Sequence, residues 1–197
     1  MSAPESAPLA VGGGAVRMAA CRADCIELAA FSGRAAELAG IAERRGLPLP
    51  AFGRVACAAG QMVLSVRPQR WLVLSAPQAA GATADLWHSA GAGVGAAIDL
   101  SSAQTALHLA GPAVRELLAR SCRLDLDPDA FPPGSAAATI MMQVSVMLAA
   151  LPSGLLLLTP ATTARHVREW LLAAATPFGL IPLPEMSLND LTSDQWP

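Results

Sequence analysis

The amino-acid sequence predicts an α+β fold of two units, each with the order strand–helix–strand–strand–helix. Short runs of apolar residues typical of strands alternate with amphipathic segments, and the second half of the chain repeats the order of the first. The halves also end alike. Trp71–Ser75 leads into a helical segment containing Trp87, and Leu155–Thr159 leads into one containing Trp170. The separation of the two tryptophans, roughly 83 residues, is too long for a solenoid repeat and indicates a duplicated, ferredoxin-like unit.

The elements of the first unit are bounded by turn residues. A helix with apolar residues every three or four positions ends at Gly46 and Pro48, and a turn at Ala59-Gly60 separates two strands. Gly91 ends the second helix. The predicted elements are strands Cys25–Phe31, Arg54–Ala58, Gln61–Val66 and Trp71–Ser75, and helices Gly33–Arg45 and Ala79–Ala90.

The second unit has the same kinds of boundary. Pro112 stands at the first helical position, which proline favours. The almost wholly apolar run 136–160 is interrupted by Pro152-Ser153-Gly154, so it predicts strands joined by a hairpin and no membrane span. The predicted elements are strands Ala97–Leu100, Thr105–Leu109, Thr139–Ala149 and Leu155–Thr159, and helices Gly111–Cys122 and Thr162–Ala175.

These elements divide the chain into four parts. Residues 1–20 are expected to be a flexible N-terminal tail, residues 21–95 the first α+β unit, residues 96–179 the second, and residues 180–197 a C-terminal tail. The first part is rich in Pro, Ala, Ser and Gly and has no basic region before its short apolar run. We therefore expect no signal peptide and a cytoplasmic protein.

The composition points to a covered surface. Hydrophobic residues make up 53% of the chain and charged residues only 14%, against about 25% charged in typical soluble domains. A partner that covers apolar surface explains this deficit, and a genome rich in Ala codons is the alternative explanation. All 13 cations are Arg, the net charge is −2 and no basic stripe is visible, so nucleic-acid binding is not expected.

The cysteines and histidines do not form a metal-binding pattern. The chain contains no Cys-x-x-Cys, and its three His residues are scattered. We expect no metal site, and we expect the thiols to be small core residues in a reducing compartment. The cysteines are Cys21, Cys25, Cys57 and Cys122.

Common catalytic motifs are missing. The chain has no Gly-x-Ser-x-Gly, and the absence of Lys excludes a P-loop and a Schiff-base enzyme. Ser101 and Ser102 follow Asp99 in a predicted turn, where such residues bond to their own backbone. An Asp-rich segment lacks the Gly and Glu of a calcium loop, so we expect a polar loop that caps a helix. Its acidic residues are Asp125, Asp127 and Asp129.

Single His and Trp residues have structural interpretations. His108 lies in an alternating strand, and we expect it to face solvent or a partner. Apolar periodicity around Trp71, Trp87 and Trp170 favours positions in the core over ligand stacking. Trp196 lies in a polar C-terminal segment and is a candidate anchor into another subunit.

The middle of the chain resembles a known fold. The segment from Asp99 to Gly111 contains Asp-Leu-Ser, a turn, alternating apolar residues and then Gly-Pro, and it resembles the folate-binding fold of the glycine cleavage T protein and its relatives. That family's usual Gly-Arg after Asp-Leu-Ser is replaced here by Ala103-Gln104.

The sequence that follows is similar to the gamma subunit family of heterotetrameric sarcosine oxidases. The similarity spans about residues 50–179, and Pro160 stands where that family commonly has Arg. It includes the proline turn before a tryptophan strand, the Leu-Asp-Leu-x-Pro and Phe-Pro-x-Gly runs, and a Glu-Trp-Leu helix. These segments are residues 67–72, 111–119, 124–128, 130–134 and 169–171, with Thr139.

The resemblance implies a non-catalytic structural subunit, without catalytic, cofactor-binding or metal residues of its own, that assembles with alpha, beta and delta subunits. It also implies that those subunits hold FAD, FMN, NAD, tetrahydrofolate and zinc. The complex would demethylate sarcosine oxidatively and pass the methyl carbon to tetrahydrofolate. The alternatives are the equivalent subunit of an N-methylglutamate dehydrogenase, or a stand-alone folate-binding module that would use Arg54, Arg67, Arg70 and Asp99.

Overall fold

A computed structural model describes residues 15–78 and 81–192 of the chain, and its longer strands form two sheets. The smaller sheet has five strands in the order β3-β4-β5-β2-β6, and every neighbouring pair is antiparallel. Its strands are β2 (Asp24–Ala30), β3 (Val55–Ala58), β4 (Gln61–Arg67), β5 (Arg70–Ser75) and β6 (Gly95–Asp99).

The larger sheet has seven strands in the order β11-β1-β7-β10-β9-β8, and β12 also pairs with β1. β1 runs antiparallel to β7 and parallel to β11 and β12. The strands are β1 (Val16–Arg22), β7 (Gln104–Ala110), β8 (Ala136–Met141), β9 (Val144–Leu151), β10 (Gly154–Pro160), β11 (Leu180–Pro182) and β12 (Met186–Ser187).

The first strand of each half lies in the sheet of the other half. β1 pairs with β7 in the seven-stranded sheet, and β6 pairs with β2 in the five-stranded sheet. The order β3-β4-β5-β2-β6 therefore corresponds, position by position, to β8-β9-β10-β7-β1. The chain crosses between the sheets at Ala23 and again at residues 100–103, which links the two halves closely.

The helices cover the outer faces of the two sheets. One apolar cluster joins the first two helices to β2 and β5, and another joins the next two helices to β1, β7 and β9. A third cluster, with Met62, Leu72 and Leu156 fully or largely buried, lies between the sheets. The result is a layered α+β arrangement with its core on both faces of each sheet. The helices are α1 (Ala35–Arg44), α2 (Ala82–Ala90), α3 (Val114–Ala119), α4 (Ala164–Ala175) and α5 (Leu188–Thr192), with a short 3-10 helix at Thr176–Phe178.

Two predicted elements of the second half are wrong in extent. The run Thr139–Ala149, predicted as one strand, contains the end of β8, a turn and most of β9. Met142 and Gln143 form that turn with φ values of 50° and 63°, a conformation usually marked in a sequence by Asn or Gly. The helix predicted over Gly111–Cys122 is confined to α3, because Gly111 has a φ of 115° and lies against the Ala15 carbonyl.

The ends of the chain carry more regular structure than the sequence predicts. Residues 16–20, expected to belong to a flexible tail, form most of β1. Residues 180–192, also expected in a tail, form β11, β12 and α5. The boundary predicted at residues 95–96 falls within β6, which belongs to the five-stranded sheet. Residues 1–14 and 193–197, which include Trp196, lie outside the described residues.

Candidate functional site

The Asp99–Ser101 turn connects β6 to β7 and, as predicted, bonds to its own backbone. The Ser101 amide donates to Asp99 Oδ1 at 2.9 Å, and hydrogen bonds from the Ser101 side chain and backbone hold the pKa of Asp99 below its ordinary value. The Ser101 hydroxyl oxygen also accepts from the Cys25 amide at 3.1 Å and donates to the Cys25 carbonyl at 3.4 Å. This hydroxyl therefore joins the turn to β2.

The Asp-rich loop forms successive turns, so the prediction that it caps a helix is wrong. The Asp127 amide donates to Asp125 Oδ1 at 3.0 Å, and the Asp129 amide donates to Asp127 Oδ1 at 2.9 Å. α3 ends before this loop, at Ala119. Within residues 15–78 and 81–192 there is no group of three or more His, Cys, Asp or Glu side chains placed to hold a metal ion.

Arg115 anchors the same loop, a role that the sequence did not indicate. Its Nη1 donates to the carbonyl of Leu126 at 2.6 Å and to that of Phe131 at 3.0 Å. The segment is irregular, so its carbonyls have no partners in a helix or sheet. One α3 side chain supplies donors to two of them. The loop is held as a fixed surface feature next to α3.

His108 is buried within this chain, at 4% exposure, so the expectation that it faces solvent or a partner is wrong. Its Nε2 lies 3.3 Å from Ser153 Oγ, in the turn between β9 and β10. Gly154 follows with a φ of 149°, and a Cβ there would clash with the Leu109 carbonyl and approach His108 Nε2. The Ser–His contact is thus part of a tightly packed turn.

Cys21 and Cys25 are buried as predicted, Cys57 and Cys122 are half-buried, and the thiols of the first three are poor nucleophiles. Burial raises the pKa of Cys21 to about 11, and Asp190 and Glu185 add to the effect. Burial likewise raises the pKa of Cys57 to about 11 and that of Cys25 to about 12. At neutral pH these side chains remain protonated, whereas the thiolate is the reactive form.

Two of the three tryptophans predicted for the core are buried. Trp71 donates from Nε1 to the Pro50 carbonyl at 2.9 Å, and Trp87 packs in the same cluster under the guanidinium of Arg45. Trp170 is half-buried at the margin of the cluster around α4. The packing of Trp71 and Trp87 confirms the prediction of core positions for them.

A buried carboxylate, Glu27, brings two of the candidate arginines together. Glu27 Oε1 accepts from Arg70 Nη1 at 2.5 Å, and its Oε2 lies 3.6 Å from Arg67 Nη1. The Glu27 side chain is 12% exposed, whereas the Arg67 and Arg70 side chains are 61% and 49% exposed. Two cations therefore share one buried anion, which leaves this surface locally positive. Arg54 and Asp99 form no part of this cluster.

This cluster lies at a small cavity between the two sheets. Its volume is about 200 Å³, and its walls include Ile98 and Leu100 from one side and Met147 from the other. Gln104 also lines it, and the buried Gln104 Oε1 has no hydrogen-bond partner among the described residues. The volume is below the range of about 300–1,000 Å³ that is typical of small-molecule sites.

A larger groove, of about 660 Å³, lies between α4 and the segment that carries β11. Its walls are mainly apolar, with Leu107, Leu172 and Leu183 among them. An ion pair between Arg165 Nε and Glu169 Oε1, 2.9 Å apart, lies at its margin.

None of the helices in the described part of the chain has the length and apolar content needed to cross a bilayer.

Residues 31–176 match the model of the sarcosine oxidase, gamma subunit family. The chain is 35% identical over 143 residues to the sarcosine oxidase subunit gamma of Arthrobacter sp., which covers 71% of this chain and 70% of that relative. It is 33% identical over 148 residues to the subunit of the same name from Corynebacterium sp. (strain P-1), and this match covers 74% of this chain and 72% of that relative.

Solved structures share this fold. A chain of the heterotetrameric sarcosine oxidase from Corynebacterium sp. U-96, in complex with pyrrole 2-carboxylate, superposes with a TM-score of 0.74 at 28% identity, covering 88% of this chain and 90% of that one. The glycine cleavage system aminomethyltransferase T from Bartonella henselae superposes with a TM-score of 0.61 at 14% identity. That match covers 86% of this chain but 48% of the aminomethyltransferase, and it shows a common fold alone.

Proposed function

The chain belongs to the sarcosine oxidase gamma subunit family, and we propose that it is a non-catalytic assembly subunit of a heterotetrameric sarcosine oxidase. The main support is the structural correspondence with a chain of the Corynebacterium complex, which covers 88% of this chain and 90% of that one. A chain that corresponds over nearly its whole length to one component of a complex is best explained as the same component.

The proposal that the chain is non-catalytic is supported by the state of its reactive groups. The Ser101 hydroxyl bonds the backbone of Cys25, Ser153 in the β9–β10 turn contacts His108 of β7, and Cys21 and Cys25 are protonated at neutral pH. Nucleophilic catalysis needs an activated group next to bound substrate, and these groups serve local structure.

The chemistry is accordingly assigned to the other subunits. We propose that alpha, beta and delta hold FAD, FMN, NAD, tetrahydrofolate and zinc, that the complex demethylates sarcosine oxidatively, and that the methyl carbon passes to tetrahydrofolate. The four cysteines are free thiols, which fits a complex in the reducing cytoplasm.

The fold itself supports an origin by duplication. The corresponding strand orders of the two sheets, each completed by the first strand of the other half, fit two copies of one strand–strand–helix–strand–strand–strand–helix unit. This unit has two more strands than the strand–helix–strand–strand–helix order predicted from the sequence, so that predicted order is wrong. In such an arrangement neither half has a complete sheet alone. The chain is therefore proposed to fold as one unit, although its core has two sheets.

A stand-alone folate-binding module is the second candidate, favoured by the fold shared with the aminomethyltransferase. The cluster of Arg67, Arg70 and Glu27 is the place where a glutamate tail could be received. The adjoining cavity of about 200 Å³ is small for a pterin with its tail, since ligand sites of that kind run to about 300–1,000 Å³. The assembly subunit therefore remains the better-supported proposal. An N-methylglutamate dehydrogenase would differ in substrate, which the other subunits would select.

Expression of the chain alone and together with the other subunits tests the proposal. We expect the purified chain alone to self-associate in solution, and co-expression to yield it in a soluble flavoprotein complex. Calorimetry with tetrahydrofolate provides the counter-test. A soluble monomer that binds tetrahydrofolate with micromolar affinity would support the folate-binding module and contradict the assembly subunit.

A further inference from the structure

The opening beside β6 combines features of a docking surface. We call it the β6 wedge and define it by six residues that line the cavity between the sheets: Glu27, Arg67, Arg70, Ile98, Leu100 and Met147. β6 is the last strand of the five-stranded sheet and pairs only with β2 among the described strands. The seven-stranded sheet contributes Met147 from β9 to the same opening.

The wedge exposes apolar surface on a strand face that is buried elsewhere. Ile98 is directly opposite Glu27 in the β2–β6 register, and Glu27 is opposite Leu72, so all three lie on one face of the sheet. Leu72 is 4% exposed, whereas Ile98 is 47% exposed. On this face of the sheet the side chains are therefore buried in β5 and β2 but exposed in β6. Ile98 lines one cavity together with half-buried Leu100 and Met147, and contiguous apolar surface, unlike a single apolar residue, marks interaction sites.

The rim of the wedge is positive although the chain as a whole carries a net charge of −2. Arg67 and Arg70 both contact the single carboxylate of Glu27, and about half of each Arg side chain remains exposed. A guanidinium has five N–H donors, so each retains donors after its contact with Glu27. Arginine at such a position favours a further carboxylate, which it can bind in a bidentate manner.

β6 also offers backbone groups to an incoming strand. The Leu100 amide donates to the Cys25 carbonyl at 2.7 Å, and the Phe31 amide donates to the Val94 carbonyl at 2.9 Å. Along an antiparallel strand the backbone N–H groups point alternately towards and away from the paired strand. These two bonds show that the amides of Ala97 and Asp99 are the ones that point away from β2. An extended segment can pair with such an edge while its side chains enter adjoining pockets.

We infer that the β6 wedge receives an extended acidic segment of another subunit of the complex, with a carboxylate between Arg67 and Arg70 and an apolar side chain against Ile98 and Met147. This inference rests on the proposed function. A protein segment is favoured over a free small anion because the cavity is bounded by the exposed edge of β6, whose outward backbone amides can pair with an extended chain but are not used by a small anion.

Association of the purified chain with the other subunits of its own oxidase tests the inference. The variant Ile98→Thr with Arg67→Gln removes the exposed apolar group and one rim charge, and leaves Arg70 bound to Glu27. The matched control, Ile181→Thr with Arg165→Gln, makes the same changes at residues of similar or greater exposure away from the wedge. We expect the wedge variant to bind at least tenfold more weakly and the control to bind within twofold of the wild type. Equal weakening of both variants, or of neither, overturns the inference.

Two further readouts separate a folding defect from a lost interface. Thermal unfolding of each variant alone reports its folding. Hydrogen exchange on the wild-type chain needs no variant: the amides of Ala97 and Asp99 should gain protection when the complex forms. No gain at these amides in an intact complex overturns the docking of a strand at β6.

The outcomes also distinguish this inference from the proposed function. If the wild-type chain does not join the other subunits, the proposed function fails, and the docking with it. If the wild-type chain and the wedge variant join equally well, only the docking inference fails. Succinate serves as the probe for a small anion. If it stabilises the isolated chain in an Arg67-dependent manner while subunit association does not depend on Arg67, the wedge is an anion site and the inference is wrong.

Discussion

Arg70 Nη1 lies 2.5 Å from Glu27 Oε1 and connects the first residue of β5 to the middle of β2 across 43 residues of sequence. Glu27 is largely buried, and its carboxylate is compensated by this contact and by the longer one to Arg67. A buried carboxylate without its partner keeps its desolvation cost and loses the compensating hydrogen bond. This pair thus adds a side-chain link between the neighbouring strands β2 and β5.

Arg70→Ala is therefore expected to lower the free energy of unfolding by about 1–3 kcal/mol, measured by urea denaturation. Arg67 limits the loss, because it remains near the same carboxylate. Arg34→Ala is the control, since Arg34 pairs with Glu37 on an exposed helix surface, where an ion pair contributes about 0–1 kcal/mol. A loss at Arg70 no larger than that at Arg34 would show that Glu27 does not need the contact.

Gly154→Ala is expected to destabilise the chain by about 2 kcal/mol or more. Its φ of 149° is strained for an L residue, and the new Cβ would clash with the Leu109 carbonyl. Gly40→Ala is the matched control, because Gly40 lies within α1 and a Cβ there meets only the end of the Arg44 side chain, at 3.5 Å. This control should be neutral or stabilising by about 0.5–1 kcal/mol. Thermal unfolding of both variants makes the comparison, and similar effects would contradict the packing described for the β9–β10 turn.

Arg115→Ala is expected to cost about 1–3 kcal/mol, because two carbonyls of the Asp-rich loop lose their donor. The loss should be local. Hydrogen exchange of the amides of Asp127 and Asp129 should rise by more than that of β10. Arg165→Ala, at a side chain that is 89% exposed, should leave both unchanged. Unchanged exchange in the loop of the Arg115 variant would contradict the anchoring role.

The thiols of Cys21, Cys25 and Cys57 should react slowly at neutral pH. Their pKa values of about 11, 12 and 11 lie above the ordinary value of 9.0, so the thiolate fraction at pH 8 is very small. Peptide-resolved labelling with iodoacetamide should rise about tenfold per pH unit from pH 8 to pH 10, while the urea-unfolded chain labels readily. Full labelling of the folded chain at pH 8 would contradict the burial of these groups.

The same shifts predict how stability depends on pH. A thiol whose pKa is raised in the folded state stabilises that state below the unfolded pKa, near 9, and this contribution is lost as the pH rises towards 11 to 12. Stability should therefore fall above pH 9. Replacement of Cys57 by Ser should reduce the steepness of that fall, measured by denaturation at pH 8, 9 and 10.

The spacing of apolar residues and the positions of turn residues were enough to predict several strands and helices. Strands β2 to β5 and helices α1 and α4 lie within a few residues of their predicted bounds. The misses have physical reasons. The turn at Met142-Gln143 adopts positive φ without Gly or Asn, and β1 follows a glycine-rich stretch that suggested a tail. β11 pairs with β1 across most of the chain, a contact that no local pattern reveals.

The candidate site was harder to predict because its residues are distant in sequence and meet only in the folded chain. The alternation around His108 suggested an exposed face, but β7 is a central strand with both faces covered, so alternation does not report exposure there. Arg67 and Arg70 were candidate residues of the alternative folate-binding module, whereas their partner Glu27 lies in a distant apolar strand and was not a candidate. An acidic residue inside an otherwise apolar strand was the one signal available in the sequence.

Native mass spectrometry of the purified, co-expressed complex is the sharpest test of an assembly subunit. We expect a stable particle that contains this chain together with alpha, beta and delta subunits, and loss of that particle when the gene for this chain is omitted. A fully assembled, sarcosine-oxidising complex that forms without this chain, while the chain itself stays a separate monomer, would contradict it.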